Sequence, residues 1–175
     1  SGRAAPYWIG VLVGALDSRY IDECSVSGRI TETSGKGSIG GLIGELGRAA
    51  KITYSHADVA LNVKPDYYGG ANVGGLIGKG NGEKDPETVI SNCYATGTVV
   101  GGAYSGGFAG SLWGLNIKNC YATGDVTDAF ASMATFAGTD APAAYAYGSV
   151  TNCYTTGAVI GTASSTYAFA YQDAT

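Results

Sequence analysis

The sequence predicts an all-β fold: a parallel β-helix, or β-solenoid, of about six coils, in a single domain over residues 1–175. Three observations predict it. A Gly-hydrophobic hexapeptide returns along the whole chain, a second column follows it in constant phase, and the composition is rich in glycine and poor in charge. Glycine supplies 29 of the 175 residues, against a usual level of about 7%. Charged residues make up only 14% and hydrophobic residues 45%. A packed β-structure with tight corners accommodates that balance, and a disordered tail does not.

The first column reads Ile9-Gly10-Val11-Leu12-Val13-Gly14, Ile39-Gly40-Gly41-Leu42-Ile43-Gly44 and Val73-Gly74-Gly75-Leu76-Ile77-Gly78. It continues as Ser105-Gly106-Gly107-Phe108-Ala109-Gly110 and Met133-Ala134-Thr135-Phe136-Ala137-Gly138, with a degraded copy at Thr166-Tyr167-Ala168-Phe169-Ala170-Tyr171. The second column reads Asn92-Cys93-Tyr94-Ala95-Thr96-Gly97, Asn119-Cys120-Tyr121-Ala122-Thr123-Gly124 and Asn152-Cys153-Tyr154-Thr155-Thr156-Gly157. Glu23-Cys24-Ser25-Val26-Ser27-Gly28 is a looser copy, and Tyr54-Ser55-His56-Ala57-Asp58-Val59 fills the remaining slot. A β-branched run follows, as in Thr98-Val99-Val100 and Ala158-Val159-Ile160. Short strand-favouring runs between Gly and Asn turns, without helical periodicity, describe one solenoid coil per unit. A propeller blade needs about 40 residues and four strands.

One unit cannot bury its own apolar face, so neighbouring units must cover it. Equivalent residues then lie about 4.8 Å apart up the stack. Leu12, Leu42, Leu76, Phe108, Phe136 and Phe169 are expected to form one inward ladder. The change from Leu to Phe accompanies a shrinkage from Val13, Ile43 and Ile77 to Ala109, Ala137 and Ala170. That pairing conserves volume per layer, which cores tolerate best, and implies a shared packing space. Strict strand alternation would instead put the two columns on opposite faces. The bias of parallel crossovers favours a right-handed coil.

Gly41-Leu42-Ile43-Gly44 and Gly75-Leu76-Ile77-Gly78 resemble the GLUG repeat, named for its Gly-Leu-any-Gly core. The Asn-Cys-Tyr-Ala-Thr-Gly segments resemble the stretch between successive GLUG cores. Copies five and six depart from the motif. The resemblance implies an accessory, non-catalytic region of a large secreted or wall-attached bacterial protein, such as adhesin-like or IgA-protease-like chains. It carries over no functional residues. An extracellular or bacterial cell-surface location follows from it. The absence of an initiator Met and the open-ended termini suggest a fragment of a larger chain.

Net charge is −4 and the ten Lys and Arg residues are scattered, so the basic stripe that a nucleic-acid partner requires is missing. No apolar run approaches the length of a membrane span, and no membrane insertion is expected. The four cysteines occur once per repeat rather than as Cys-x-x-Cys pairs, which removes the usual zinc spacing. They are read as small buried residues, mostly unbridged, with no metal and no cofactor. His56 is the sole histidine. The carboxylate groups Asp17, Asp22 and Glu23, and Glu83, Asp85 and Glu87, read as solvated loop faces, so no catalytic residue and no enzyme activity is assigned.

The 13 tyrosines offer the best binding candidates. If Cys93 and Ala95 face inward, Tyr94 faces outward, and Tyr121 and Tyr154 stack beside it. Such a row presents apolar rings with polar tips to a sugar or protein ligand. Tyr67 and Tyr68, with Tyr104, form a weaker patch in Gly-rich loops. Asn92, Asn119 and Asn152 read as an amide ladder at a coil corner. The expected function is a structural or presentation module. Two alternatives stand beside it: a glycan- or protein-binding adhesin module, and, less favoured, a polysaccharide lyase or hydrolase by fold analogy. The partners this leaves are a host glycan or protein and the rest of the parent chain.

Overall fold

The structure, a computed structural model, describes residues 7–65, 70–82, 87–134, 136–140 and 148–169. Among the described residues there is no helix; short strands stack into four parallel sheets. The first sheet holds Trp8–Gly10, Ser38–Gly40, Asn72–Gly74, Tyr104–Gly106, Ser132–Ala134 and Ser165–Tyr167. The second holds Val13–Leu16, Ile43–Leu46, Ile77–Asn81, Ala109–Trp113 and Ala137–Asp140. The third runs through Tyr20–Asp22, Lys51–Thr53, Val89–Ser91, Asn116–Lys118 and Ser149–Thr151. The fourth begins with Ser25–Glu32 and His56–Val63 and then continues as paired short strands, Tyr94–Ala95 with Val99–Gly101, Tyr121–Ala122 with Val126–Thr127, and Tyr154–Thr155 with Val159–Ile160. Each strand pairs with its equivalent one coil away, in register, as Ile21, Ile52, Ile90, Ile117 and Val150 do up the third sheet. This is the β-solenoid that the doubled column predicts, with fewer complete coils than the six expected: among the described residues only the first sheet has six strands.

The core runs along the axis. Leu42, Leu76, Phe108 and Phe136 are fully buried in one ladder. Phe108 stacks on Phe136 with ring centroids 4.6 Å apart, and Phe136 on Phe169 at 4.8 Å. Ile43, Ile77, Ala109 and Ala137 are buried beside them; Ala170 and Tyr171 lie outside the described residues. The conflict over strand alternation resolves at the corner. Gly41 and Leu42 form a bend between the first and second sheets, so the two-residue alternation restarts and consecutive residues both face inward. Leu12 departs from the expected ladder. It is 43% exposed, because within the described stack its only ladder neighbour is Leu42 on one side.

The motif glycines have a steric cause at this corner. A Cβ on Gly74 would lie 2.0 Å from the Ile77 carbonyl oxygen, and one on Gly78 would lie 2.4 Å from the Ile39 backbone nitrogen. The first two sheets approach backbone to backbone, and only glycine leaves that space open.

Candidate functional site

The third and fourth sheets meet at a corner that sets the direction of every outward side chain after it. Glu23, Tyr54, Asn92, Asn119 and Asn152 occupy this corner in successive coils, with φ of 50°, 47°, 55°, 54° and 52°. This is the left-handed region, which Asn tolerates better than other side chains. The Asn119 amide donates to Asn92 Oδ1 at 3.0 Å, and the Asn152 amide to Asn119 Oδ1 at 3.3 Å. The amide ladder expected from the sequence is present. The bend also lets Ile90 and Cys93 both face inward, which fixes the parity of the residues that follow.

Next comes a column of Cys24, Ser55, Cys93, Cys120 and Cys153. Each side chain donates to the carbonyl two residues back: Cys93 to Ser91 at 3.1 Å, Cys120 to Lys118 at 3.2 Å, Cys153 to Thr151 at 3.3 Å, Cys24 to Asp22 at 3.3 Å and Ser55 to Thr53 at 2.7 Å. The slot therefore needs a short side chain that also donates a hydrogen bond, which explains why Ser and Cys share it. All four cysteines are unbridged. Cys93 and Cys120 are buried, but Cys24 and Cys153 are only half-buried, correcting the expectation that all four are buried; they sit in the outer coils. The S–H of Cys120 holds the Cys93 thiol below its usual range. The S–H of Cys153 lowers Cys120, but hydrogen bonding to Cys93 and burial outweigh it and push Cys120 up to about 12. Hydrogen bonding to Cys120 and burial push Cys153 up as well.

The outward column that follows reads Ser25, His56, Tyr94, Tyr121 and Tyr154, in register. Its rings stack face to face. The centroid separations are 4.4 Å for His56–Tyr94, 4.7 Å for Tyr94–Tyr121 and 5.1 Å for Tyr121–Tyr154, with interplanar angles of 7°, 3° and 10°. Ser25 Oγ closes the column with a 2.7 Å contact to His56 Nε2. Tyr94 and Tyr121 are half-buried because each covers its neighbours, whereas Tyr154 is 54% exposed. Burial, then the flanking phenols, raises the Tyr121 hydroxyl above the usual tyrosine value. The row thus offers ring edges and hydroxyl tips along its length, most exposed at Tyr154. Sequence reasoning placed the three tyrosines together and gave His56, third in the Tyr54-Ser55-His56 copy as Tyr94 is in its own, no part in the row.

The remaining candidates are dispersed or outside the described residues. Tyr67, Tyr68, Glu83 and Asp85 lie outside them. Tyr104 is exposed on the first sheet, a different face from the tyrosine row. Asp22 accepts a hydrogen bond from Thr53 one coil away, Asp58 one from Thr96 at 3.0 Å, and Asp125 one from the Ala158 backbone at 2.8 Å. These carboxylates tie coil to coil. Among the described residues no three His, Cys, Asp or Glu side chains converge as a metal site, and no helix is long and apolar enough to cross a membrane.

Comparison with known proteins agrees with this architecture of repeats. The GLUG motif matches at residues 69–100 and 101–127. Halomucin of Haloquadratum walsbyi is 38% identical over 82 residues, which is 45% of this chain and 1% of halomucin. The Immunoglobulin A1 protease of Streptococcus pneumoniae is 35% identical over 112 residues, 60% of this chain and 6% of the protease. The chain therefore corresponds to a small fraction of each relative's length. No solved structure matches. The corner at Gly75–Gly78 and the coil after it match the GLUG motif, and the chain that carries these two matches is a parallel β-solenoid.

Proposed function

We propose that this chain is a non-catalytic structural and presentation module of a bacterial cell-surface or secreted protein. The observation that carries the reading is the continuity of the stack. Hydrophobic, amide, thiol and aromatic ladders run through successive coils, so the side chains that recur are those that join one coil to the next. Asp22, one of the candidate carboxylates, is engaged in such a coil-to-coil tie with Thr53. The location rests on the GLUG motif match and on the likeness to halomucin and the Immunoglobulin A1 protease.

A second reading, an adhesin module, is favoured by one specific feature: the outward ladder Tyr94, Tyr121 and Tyr154. Because the ring faces cover each other, a glycan or protein would meet edges and hydroxyls along the row. One experiment separates the readings. Wild-type chain and Tyr121→Ala are applied to a glycan array and to a panel of host extracellular proteins, with circular dichroism as the fold control. The spacer reading expects no saturable binding by either. Saturable binding by the wild type that Tyr121→Ala abolishes would replace it with the adhesin reading.

A further inference from the structure

The thiol row Cys93, Cys120 and Cys153 has a spacing that suits one kind of chemistry. Tyr94, Tyr121 and Tyr154 pair in register, so the preceding slot repeats at the coil spacing of about 4.8 Å. All three thiols point the same way, each toward the carbonyl two residues back. Their sulfurs therefore also stand about one coil apart. A disulfide requires Cβ atoms about 3.8 Å apart and an S–S bond of about 2.05 Å, and parallel side chains on a rigid ladder do not reach it. A tetrahedral ion requires four donors around a point, and a straight row supplies none on the remaining sides. Two metal–thiolate bonds placed end to end, each near the roughly 2.3 Å of a zinc–thiolate bond, do match the row.

Two more observations point to the same ligand. The slot's backbone N–H addresses the side chain one coil on. Cys24 N donates to Ser55 Oγ at 3.0 Å, and the backbone of Ser55, Cys93 and Cys120 stands in the same relation to the side chains of Cys93, Cys120 and Cys153. A cavity of about 690 Å³ also opens beside the row, lined by Cys153, Ile117, Phe136 and Phe169 among others. It adjoins the half-buried Cys153 and gives an ion a route toward the buried Cys120.

We propose that Cys120 and Cys153 form a two-coordinate site for a soft monovalent d10 cation, Cu(I) or its analogue Ag(I). Thiolates select such ions over hard ones. Binding forms two metal–sulfur bonds, releases the two thiol protons to solvent and leaves a bis-thiolate complex of net charge −1. The backbone N–H groups offset that charge. Cys24 takes no part, because Ser55 separates it from the row.

Silver tests this without any redox step. The folded, reduced chain is titrated with Ag(I) nitrate in chloride-free buffer, and the bound ion is examined by X-ray absorption. The expected result is one ion per chain with two sulfur neighbours. Cys120→Ser should lose more affinity than the roughly 10- to 100-fold that removal of an outer-shell partner costs, since Cys93 and Cys153 then stand two coils apart. This variant keeps the slot's hydrogen bond, as Ser55 does in the second coil, and circular dichroism checks its fold. Cys24→Ser should bind as the wild type does. Wild-type affinity in Cys120→Ser, a single sulfur neighbour, or a Cys120–Cys153 disulfide in protein purified without reductant would each overturn the proposal.

Discussion

Tyr54 stands where three later coils place asparagine. Its φ of 47° puts a bulky side chain in the left-handed region, and the ring is 62% exposed, so packing recovers little of the strain. A residue there costs about 1–2 kcal/mol unless it is Gly or Asn. Tyr54→Asn should therefore stabilise the protein by about 1 kcal/mol, raising Tm by about 2–4 °C. It would also add an amide beside Asn92. Thermal unfolding of the variant measures this, and an unchanged or lower Tm would show that corner strain does not limit stability. The asparagine ladder itself was legible in the sequence, because identical residues recur in one slot. The reason for the neighbouring Ser/Cys slot was not. Small size accounts for its burial, but the hydrogen bond to the carbonyl two residues back exists only once the corner residue has turned left-handed. No periodicity in the chain announces that turn where the corner residue is Glu23 or Tyr54.

At the scale of the strand and its corner, the exchange of Leu-Ile for Phe-Ala between the third and fourth coils was readable as constant volume. What could not be read was how two consecutive residues share one core. The bend at Gly41–Leu42 supplies the answer, and a bend is invisible to a two-residue alternation rule. The arrangement makes a quantitative prediction. Phe136→Leu alone leaves unfilled volume and should cost about 1–2 kcal/mol, toward the lower end of large-to-small core losses. Ala137→Ile alone overpacks and should cost about 1–3 kcal/mol. Together they recreate the Leu76-Ile77 pair of the third coil, so the double variant should lose less than the sum, with a coupling of about 0.5–3 kcal/mol. Recovery will be incomplete, because Phe136 also stacks on Phe108 and Phe169. Urea unfolding of the four proteins gives the cycle. Strictly additive losses would show that the two columns do not occupy one space.

The molecule as a whole is a line of coils, each held chiefly by its neighbours, and that geometry governs how it opens. In a solenoid, stability is approximately a sum of per-coil terms and nearest-neighbour interfaces. The described stack ends in coils with few covered side chains: Trp8 is 48% exposed in the first, and Val150 and Ile160 are 50% and 58% exposed in the last. Their equivalents in the third coil are better covered: Ile90 is fully buried and Val100 half-buried. An outer coil thus has one interface to lose where a middle coil has two. Native-state hydrogen exchange should therefore be graded. Amides of the second to fourth coils, such as those of Leu42, Leu76 and Phe108 that donate to the ladder residue of the next coil, should exchange through openings near the global free energy. Amides of the outer coils, such as Val13 and Tyr154, should exchange through local fraying at much lower free energy. The gradient should survive Phe108→Ala, which weakens both interfaces of one middle coil and should bring the flanking coils closer to the outer ones in protection. Equal protection from the first coil to the last would mean that the stack opens only as a unit, and that the interfaces between coils far outweigh the stability of any coil by itself.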